Sequence, residues 1–348
     1  MSSEKRKNIT CPLVSVVICE HNTPQVFFEE AIRSVLEQTY KNFEIIVIDD
    51  CSDSSNCTLP ILSDQRIRIY KNNTNLGLAA SRNKGISLSG GKYIAIMDTD
   101  DICSPDRLER QVDYMEKHLN VVCSGSYVRL FGQRNCKQRY QIRNTDYYRC
   151  CLLFGNSPTL TNPSVMIRRE LFSNGVVVYD ESLKTAEDYD MWTQLSKCGD
   201  IRIIKKVLLK YRIREGQMSQ VFRSDKMNEY NWKITKKQLL SLGYKNIERD
   251  EDLIRCRFTD RCIEPFKYLV FLKELIDANS KSKYFNEKQL VKRCKFQWKQ
   301  KVYSITSLSD FKGLLKQLDS REKIQVIMWC ILRPFNLFYK IKELFNRI

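Results

Sequence analysis

Short apolar runs alternate with amphipathic stretches through the first hundred residues. The runs short enough for buried strands lie at residues 13–19, 43–48, 67–70 and 93–97. Between them, residues 27–38 and 78–88 carry apolar side chains at helical spacing. This β-α-β alternation predicts an α/β fold with a doubly wound, mostly parallel sheet flanked by helices. In such sheets, ligands bind beyond the C-terminal ends of the strands.

The pattern changes after this region. Residues 105–119 predict a helix with one apolar, core-facing side. That side consists of Leu108, Val112, Met115 and Leu119. Residues 121–131 predict another strand, and a mixed α and β pattern continues to about residue 213. Beyond residue 219 the chain is mostly helical, charged and basic, which predicts a helical C-terminal extension.

The fourth apolar run leads directly into a cluster of carboxylates at Asp98, Asp100 and Asp101. Residues two apart on a strand point to the same side, so Asp98 and Asp100 converge. Crowded carboxylates repel one another unless a cation is present. Their oxygens suit Mg²⁺ or Mn²⁺ that also binds a diphosphate. The alternative is a solvated acidic turn that caps the next helix, with Ser104 as its N-cap and Pro105 as its first residue.

Two further segments carry polar groups toward the predicted ligand edge. Asp49 and Asp50 follow the second strand, where a carboxylate can accept a hydrogen bond from a base N–H or a ribose hydroxyl. Residues 75–86 (NLGLAASRNKGI) contain small residues that allow a close backbone approach, and Arg82, a forked donor suited to phosphate. Taken alone, the first is a turn signal and the second is a helix with an exposed arginine.

A third acidic segment, EDYDMW at residues 187–192, opens an apparent helix. Carboxylates are favourable at a helix N-terminus, so helix capping is one interpretation. In an active site, Glu187 or Asp188 would instead serve as a general base. Only two histidines are present, at positions 21 and 118, so the sequence predicts chemistry that does not use a histidine base.

The net charge, the cysteines and the lack of long apolar runs limit which binding partners and which cellular compartment we expect. The 348 residues carry a formal net charge of +17, which favours nucleotides, nucleic acid or an anionic membrane. No RNA- or DNA-binding signature accompanies the charge, so we expect no nucleic-acid partner. The 14 cysteines lack zinc-ligand spacing and, with no secretory signal, indicate a reducing cytosol. No window holds the roughly 18 apolar residues of a membrane span.

The C-terminal residues have a different pattern. After an apolar stretch at 324–332, aromatic and aliphatic residues alternate with basic ones through residues 335–348. Such a segment fits a helix lying in a membrane interface. The alternative is an amphipathic helix packed on the protein's own core.

The order and spacing of these segments resemble the family 2 glycosyltransferases, which have the nucleotide-diphospho-sugar transferase fold called GT-A. The resemblance covers roughly residues 14–219. The matching stretches are VSVVICEHN, SVLEQTYKNFEIIVIDDCSD, NLGLAASRNKGI, GKYIAIMDTDD, EDYDMW and KYRIREGQMS. A single DxD motif is a weak signal, whereas this ordered series is a strong one.

The resemblance implies where the donor binds. Asp49 and Asp50 match the segment that holds uracil and ribose. Arg82 and Asn83 match the segment that lines the nucleotide. His21 stands where family members often have Tyr, and is expected to be a wall residue near the nucleotide.

The resemblance also implies a metal site and a base. Asp98 and Asp100 match the DxD motif that binds Mg²⁺ or Mn²⁺, with Asp100 as the more direct ligand. Asp188 matches the catalytic base, the second residue of the family's ED motif. Arg214 is a departure, because the family often has a His there. Arg cannot bind a cation but can pair with diphosphate oxygens.

The implied activity is inverting, metal-dependent transfer of a sugar from a nucleotide-diphospho-sugar, UDP-linked, to a hydroxyl of a glycan or lipid-linked acceptor. The alternatives are a non-catalytic sugar-nucleotide-binding protein and a nucleotidyltransferase on a similar fold. Acceptor contacts are expected after residue 121, with residues 161–163 and Trp192 as candidates.

The same resemblance suggests a division of the chain. Residues 1–220 would form the GT-A domain, with a nucleotide half at about 10–104 and an acceptor half at 105–220. Residues 221–348 would form a basic helical region that associates with membranes. The basic C-terminal residues and the lack of an apolar run long enough to span a membrane predict a peripheral protein on the cytoplasmic face of the inner membrane. The resemblance adds an expected role in surface polysaccharide or lipopolysaccharide synthesis.

Overall fold

Four parallel strands form the sheet that the N-terminal sequence predicts. Strand β1 (Val14–Glu20) lies between β2 (Phe43–Asp49) and β4 (Tyr93–Met97), and β3 (Ile67–Lys71) pairs with the outer side of β2. All of β4 is buried, as are most residues of β1 and β2. Near-continuous apolar strands of this kind belong to parallel sheets that are covered on both faces. The predicted α/β fold is confirmed.

The sheet continues past β4 with mixed strand directions. The further strands are β5 (Ile102–Cys103), β6 (Val121–Gly132), β7 (Cys136–Gln138), β8 (Met166–Arg168) and β9 (Asp200–Ile213). Over the described residues the order is β3-β2-β1-β4-β8-β6-β9-β5, with β7 paired to β6. β8 is antiparallel to both of its neighbours, and β6 and β9 run parallel to each other. The sheet direction therefore changes next to β4, where the acidic turn begins.

Helices account for most of the remaining structure. They are α1 (Gln25–Leu36), α2 (Leu78–Ser87), α3 (Arg107–Lys117), α4 (Thr145–Leu153), α5 (Glu170–Ser173), α6 (Glu187–Cys198), α7 (Asp225–Leu242), α8 (Glu251–Arg255), α9 (Pro265–Ser282), α10 (Glu287–Tyr303), α11 (Leu308–Gln317) and α12 (Ser320–Ile331). In the described part of the chain, no helix is both long and apolar enough to cross a membrane.

The computed structural model describes residues 11–53, 56–155, 160–215, 225–255, 264–305 and 308–331. The predicted interfacial segment at residues 335–348, and residues 216–219 of the last family motif, lie outside these ranges. The chain divides into two compact units. The first consists of Met1–Tyr148 and Ser157–Asn231, and the second of Arg149–Asn156 and Trp232–Ile348.

Each unit has its own apolar core. In the first, buried side chains of the sheet pack against α1 and α3, and include Val16, Ile18, Phe28, Ile45, Met97, Leu108 and Met115. In the second, the core is formed by helices and includes Leu239, Leu272, Leu290, Trp298 and Val302. Burial of such side chains contributes roughly 1.5–3 kcal/mol each, so either core is a substantial source of stability.

The helix after the acidic turn begins later and ends earlier than predicted. Ser104 is not its N-cap but lies at the end of β5, where its N–H donates to the Leu208 carbonyl (2.9 Å) and extends the pairing of β5 with β9. The N-cap is Asp106, and α3 begins at Arg107. Because α3 ends at Lys117, Leu119 lies beyond it and is 75% exposed, so its predicted place in the core is wrong.

Candidate active site

The acidic turn after β4 is largely buried. Asp100 and Asp101 are 9% and 0% exposed, and Asp98 is partly exposed. Burial raises the pKa of Asp98, and the charges of Asp100 and Glu187 raise it further while Arg82 opposes them. Burial, and then the charges of Asp98 and Asp100, raise the pKa of Asp101 well above its usual range. The turn is therefore a concentration of poorly solvated negative charge, and the alternative of a solvated cap does not describe it.

Two arginines near the end of β9 contact this turn. Arg214 Nε donates to Asp100 Oδ2 (3.1 Å), and the Arg212 N–H donates to Asp101 Oδ1 (2.8 Å). The Arg212 side chain donates to the Asp100 carbonyl (2.8 Å). Its guanidinium lies between the rings of Phe27 and Phe131, at 4.2 and 4.4 Å from the centroids. Arg212 thus fixes the backbone of the turn.

The N-terminus of α6 carries the second group of carboxylates. It follows Ala186, whose φ of 66° is unusual for a residue other than glycine. Such a conformation is often found at functional sites. Asp188 Oδ1 accepts a hydrogen bond from the Tyr189 N–H (2.6 Å). Burial, and then the charge of Glu187, raise the pKa of Asp188 to about 7, although Arg82 lowers it.

Arg82 joins the two carboxylate groups. Its Nη1 donates to Glu187 Oε1 (2.7 Å) and its Nη2 donates to Asp98 Oδ1 (3.3 Å). The side chain is only 4% exposed and lies over the Tyr179 ring, 5.4 Å from the centroid. Asp98 and Glu187 are separated by 89 positions in the sequence, so this arginine connects the C-terminal end of β4 to the first turn of α6.

The next residue, Asn83, holds the chain segment that leads to α6. Its amide donates to the Tyr179 carbonyl (2.8 Å) and to Glu181 Oε1 (2.9 Å), and its Oδ1 accepts from the Tyr179 N–H (3.1 Å). Helix α2 itself lies close to the sheet. A Cβ on Gly85 would come within 2.6 Å of Val17 Cγ1, so this small residue allows the helix to approach β1.

The two aspartates at the C-terminal end of β2, Asp49 within the strand and Asp50 directly after it, are held by protein donors. Asp49 Oδ1 accepts from the Ser52 N–H (2.8 Å), and Lys71 Nζ lies 3.5 Å from its Oδ2. Asp50 accepts from Asn72 Nδ2 (2.7 Å), from the Leu76 N–H (2.9 Å) and, through Oδ2, from the Gly77 N–H (2.8 Å).

Asp50 therefore shapes the loop before α2. The φ of Gly77 is 89°, a left-handed conformation that favours glycine, and this residue is the N-cap of α2. On the rim of the same region, exposed His21 has its Nε2 3.0 Å from Asn75 Nδ2. The β1–α1 loop is also tied to the loop after β2, because Asn22 and Asp53 exchange hydrogen bonds.

The structure thus brings together Asp98, Asp100, Arg82, Arg214 and Asp188, which the sequence singled out at four separate places. Asn83 contacts the segment before α6 rather than another predicted site residue. Asp49 and Asp50 lie at the same edge of the sheet, because Asp49 is in register with Glu20 at the end of β1.

Sequence reasoning missed two side chains of this site and misplaced one. Arg212 and Tyr179 were not predicted, although Arg212 lies two positions before Arg214 in the same strand-like segment, a usable signal. Trp192 lies on α6 and is only 1% exposed, so it is a buried core residue. The prediction that it contacts the acceptor is wrong. Residues 161–163 are described as a short 3₁₀ segment with its flanking residue, and their acceptor role stays a prediction.

A divalent cation would find few protein ligands here. Within the described residues, no group of three His, Cys, Asp or Glu side chains is arranged to hold a metal ion. Asp98 and Asp100 supply carboxylates, and the buried Asp101 Oδ2 has no hydrogen-bond partner. Mg²⁺ is commonly held by one or two carboxylates with substrate phosphates and water, so the residues present fit such an ion.

Comparisons with known proteins define the class. Residues 15–175 match the model of glycosyl transferase family 2. An uncharacterized glycosyltransferase of Haemophilus influenzae is 34% identical over 243 residues, covering 66% of this chain and 74% of the relative. The chain therefore belongs to glycosyl transferase family 2.

Two other proteins are similar over much of the chain. The succinoglycan biosynthesis protein ExoO of Rhizobium meliloti is 28% identical over 225 residues, covering 62% of this chain and 64% of the relative. The crystal structure of S. aureus TarS in complex with UDP-GlcNAc is 18% identical, with a TM-score of 0.55, covering 79% of this chain and 82% of that one. This likeness confirms the GT-A-like fold.

Proposed function

We propose that this protein transfers a sugar from a UDP-linked donor to a hydroxyl of a glycan or lipid-linked acceptor, with inversion at the anomeric carbon. The observation that carries the proposal is that Arg82 binds both Asp98 and Glu187. This places the acidic turn that contains the DxD motif (residues 98–101, called the DxD turn below) beside Asp188, the neighbour of Glu187. Family membership supports the reaction class. The UDP-GlcNAc complex of TarS supports the donor, and the similarity to ExoO supports a role in polysaccharide synthesis.

Asp188 is proposed as the general base. A pKa near the working pH lets one carboxylate be ionised and still accept a proton effectively. It would take the proton from the acceptor hydroxyl as that oxygen attacks the anomeric carbon. A single base and no covalent intermediate suffice for inversion, and the transition state is oxocarbenium-like, as in glycoside hydrolysis.

The leaving nucleoside diphosphate needs positive charge near Asp98 and Asp100. We propose that these two residues hold Mg²⁺ or Mn²⁺ together with the diphosphate and water. The bound ion would neutralise charge on the leaving group. Arg214, which lies on Asp100 in the present structure, is suited to pair with diphosphate oxygens once the donor enters.

The experiment that tests this function is a turnover assay with a panel of UDP-sugars and lipid-linked or glycan acceptors. Release of UDP together with a glycosylated product supports it. Donor binding without turnover would favour a sugar-nucleotide-binding protein. Release of pyrophosphate from a nucleoside triphosphate would favour a nucleotidyltransferase.

We expect the rate of sugar transfer in the same assay to depend on pH. Because the raised pKa keeps Asp188 protonated below about pH 7, we expect kcat/KM to rise with pH, approaching tenfold per unit well below that value, and to level off above it. The acceptor in this assay should be an alcohol whose own pKa lies far above the pH range studied, so that only the enzyme titrates. A rate that is flat from pH 5 to pH 9 (about two units on each side of neutrality) would contradict the role of Asp188.

A further inference from the structure

The positive charge of this protein is concentrated in its second unit. That unit, Arg149–Asn156 and Trp232–Ile348, contains 27 Lys and Arg and 13 Asp and Glu, a net charge of +14 out of +17. The unit that contains the candidate active site accounts for the remaining +3. Most of the net positive charge therefore lies outside the unit that contains the candidate donor site, where it favours a further anionic partner.

Helix α10 presents a basic face within this unit. Lys288, Lys292, Lys295 and Lys299 follow one another at spacings of four, three and four residues, which places them along one side of a helix. The first three are exposed and Lys299 is partly exposed. With a rise of about 1.5 Å per residue, the row is about 16 Å long.

The opposite side of α10 is fixed to the core of the unit. Leu290, Cys294, Trp298 and Val302 are buried there, so the lysine row is the outward side of a firmly packed helix. The one acidic residue of α10, Glu287, lies in its first turn, 3.7 Å from Lys283. No acidic side chain of α10 interrupts the lysine row.

A large aromatic residue lies beside the lysines. Phe296 is 44% exposed, and the Arg293 guanidinium lies 4.9 Å from the centroid of its ring. Lysines with an exposed aromatic residue on one helix face are typical of helices that bind the surface of an anionic bilayer. On such a surface an aromatic ring can enter the headgroup layer while flexible lysine stems reach the phosphates. A convex helix face also fits a flat surface better than a single nucleic-acid strand, which is usually bound in a groove.

We propose that the face of α10 formed by Lys288, Lys292, Lys295, Lys299 and Phe296 is a docking surface for a bilayer containing anionic phospholipid. This surface does not include residues 335–348, for which the sequence raised the same kind of partner. It would hold the enzyme at the layer where a lipid-linked acceptor is found. The measurement below uses neither donor nor acceptor, so it stands or fails independently of the proposed glycosyl transfer.

The test is co-sedimentation of the full-length protein with vesicles of phosphatidylcholine, alone or with phosphatidylglycerol. We expect binding only to the anionic vesicles, weakened by salt. Replacing Lys288, Lys292 and Lys295 with Gln should weaken this binding by roughly 100-fold. Glutamine keeps a high helix propensity, and circular dichroism would verify that the variant folds.

A matched control removes the same charge elsewhere. Lys137, Lys205 and Lys245 are exposed and lie outside α10, so replacing all three with Gln should change vesicle binding much less. Equal loss in both variants would overturn the proposal, because only net charge would then matter. Equal binding to neutral vesicles, or binding to DNA but not to anionic vesicles at the same salt, would overturn it as well.

Discussion

Replacing Asp188 with Asn is expected to lower the rate of sugar transfer by roughly 10²–10⁴-fold, the usual contribution of a general base. Asn has nearly the same shape and can still accept the Tyr189 N–H, so the start of α6 should be preserved. It cannot take a proton from the acceptor. Since Asp188 is not among the residues proposed to hold UDP, the affinity for UDP should change little.

The assay compares kcat and the dissociation constant of UDP in the wild type and the variant. Asp113→Asn is a suitable control, because Asp113 is exposed on α3 and forms a surface ion pair with Lys117, one turn further along the helix. It should leave both quantities unchanged. If Asp188→Asn transferred sugar at a near-normal rate, another group would have to be the base.

Replacing Arg82 with Met should damage both stability and activity. The change keeps an unbranched side chain but leaves Asp98 and Glu187 facing each other without a cation. Breaking a buried ion pair by removing one partner lowers the free energy of unfolding by roughly 3–5 kcal/mol. We expect the low end of this range, about 3 kcal/mol, because Asp98 keeps some contact with water. Activity should fall as well, because Arg82 joins the DxD turn to the helix that carries Asp188.

Chemical denaturation measures the loss of stability, and the sugar-transfer assay measures the loss of activity. Arg110→Met is the control for stability, since its ion pair with Asp106 lies at the surface and should be worth less than about 1 kcal/mol. Arg82→Lys keeps the charge but cannot contact both carboxylates as the forked guanidinium does. We therefore expect its stability and activity to lie between those of Arg82→Met and the wild type. If Arg82→Met were as stable as the wild type, the bridge would not be an important element of the site.

The sequence was sufficient to predict the sheet and the edge at which the site lies. Apolar strands alternate with helices along the sequence, and crossovers between parallel strands are right-handed. Together these two facts place the C-terminal ends of β2 and β4 at one edge of the sheet. This is why Asp49 and Asp98 were correctly expected there. The family match then followed from motifs arranged in order along the chain.

The contacts inside the site could not be predicted in the same way. Arg82 was expected to line the nucleotide, whereas in the structure its side chain is buried on Asp98 and Glu187. Its partners are 16 and 105 positions away, and no local pattern encodes such pairs. The position of Arg212 between two aromatic rings likewise depends on α1 and β6 meeting at the end of β9.

The most direct test of the proposed donor site is calorimetric titration of UDP, with and without Mn²⁺, into the wild type and Asp100→Asn. Asp100 is proposed to share a divalent cation with the diphosphate, so we predict UDP binding that requires Mn²⁺ in the wild type and is lost in the variant. Metal-independent binding of equal strength in both proteins, or no UDP binding under either condition, would contradict a UDP-sugar site at this turn.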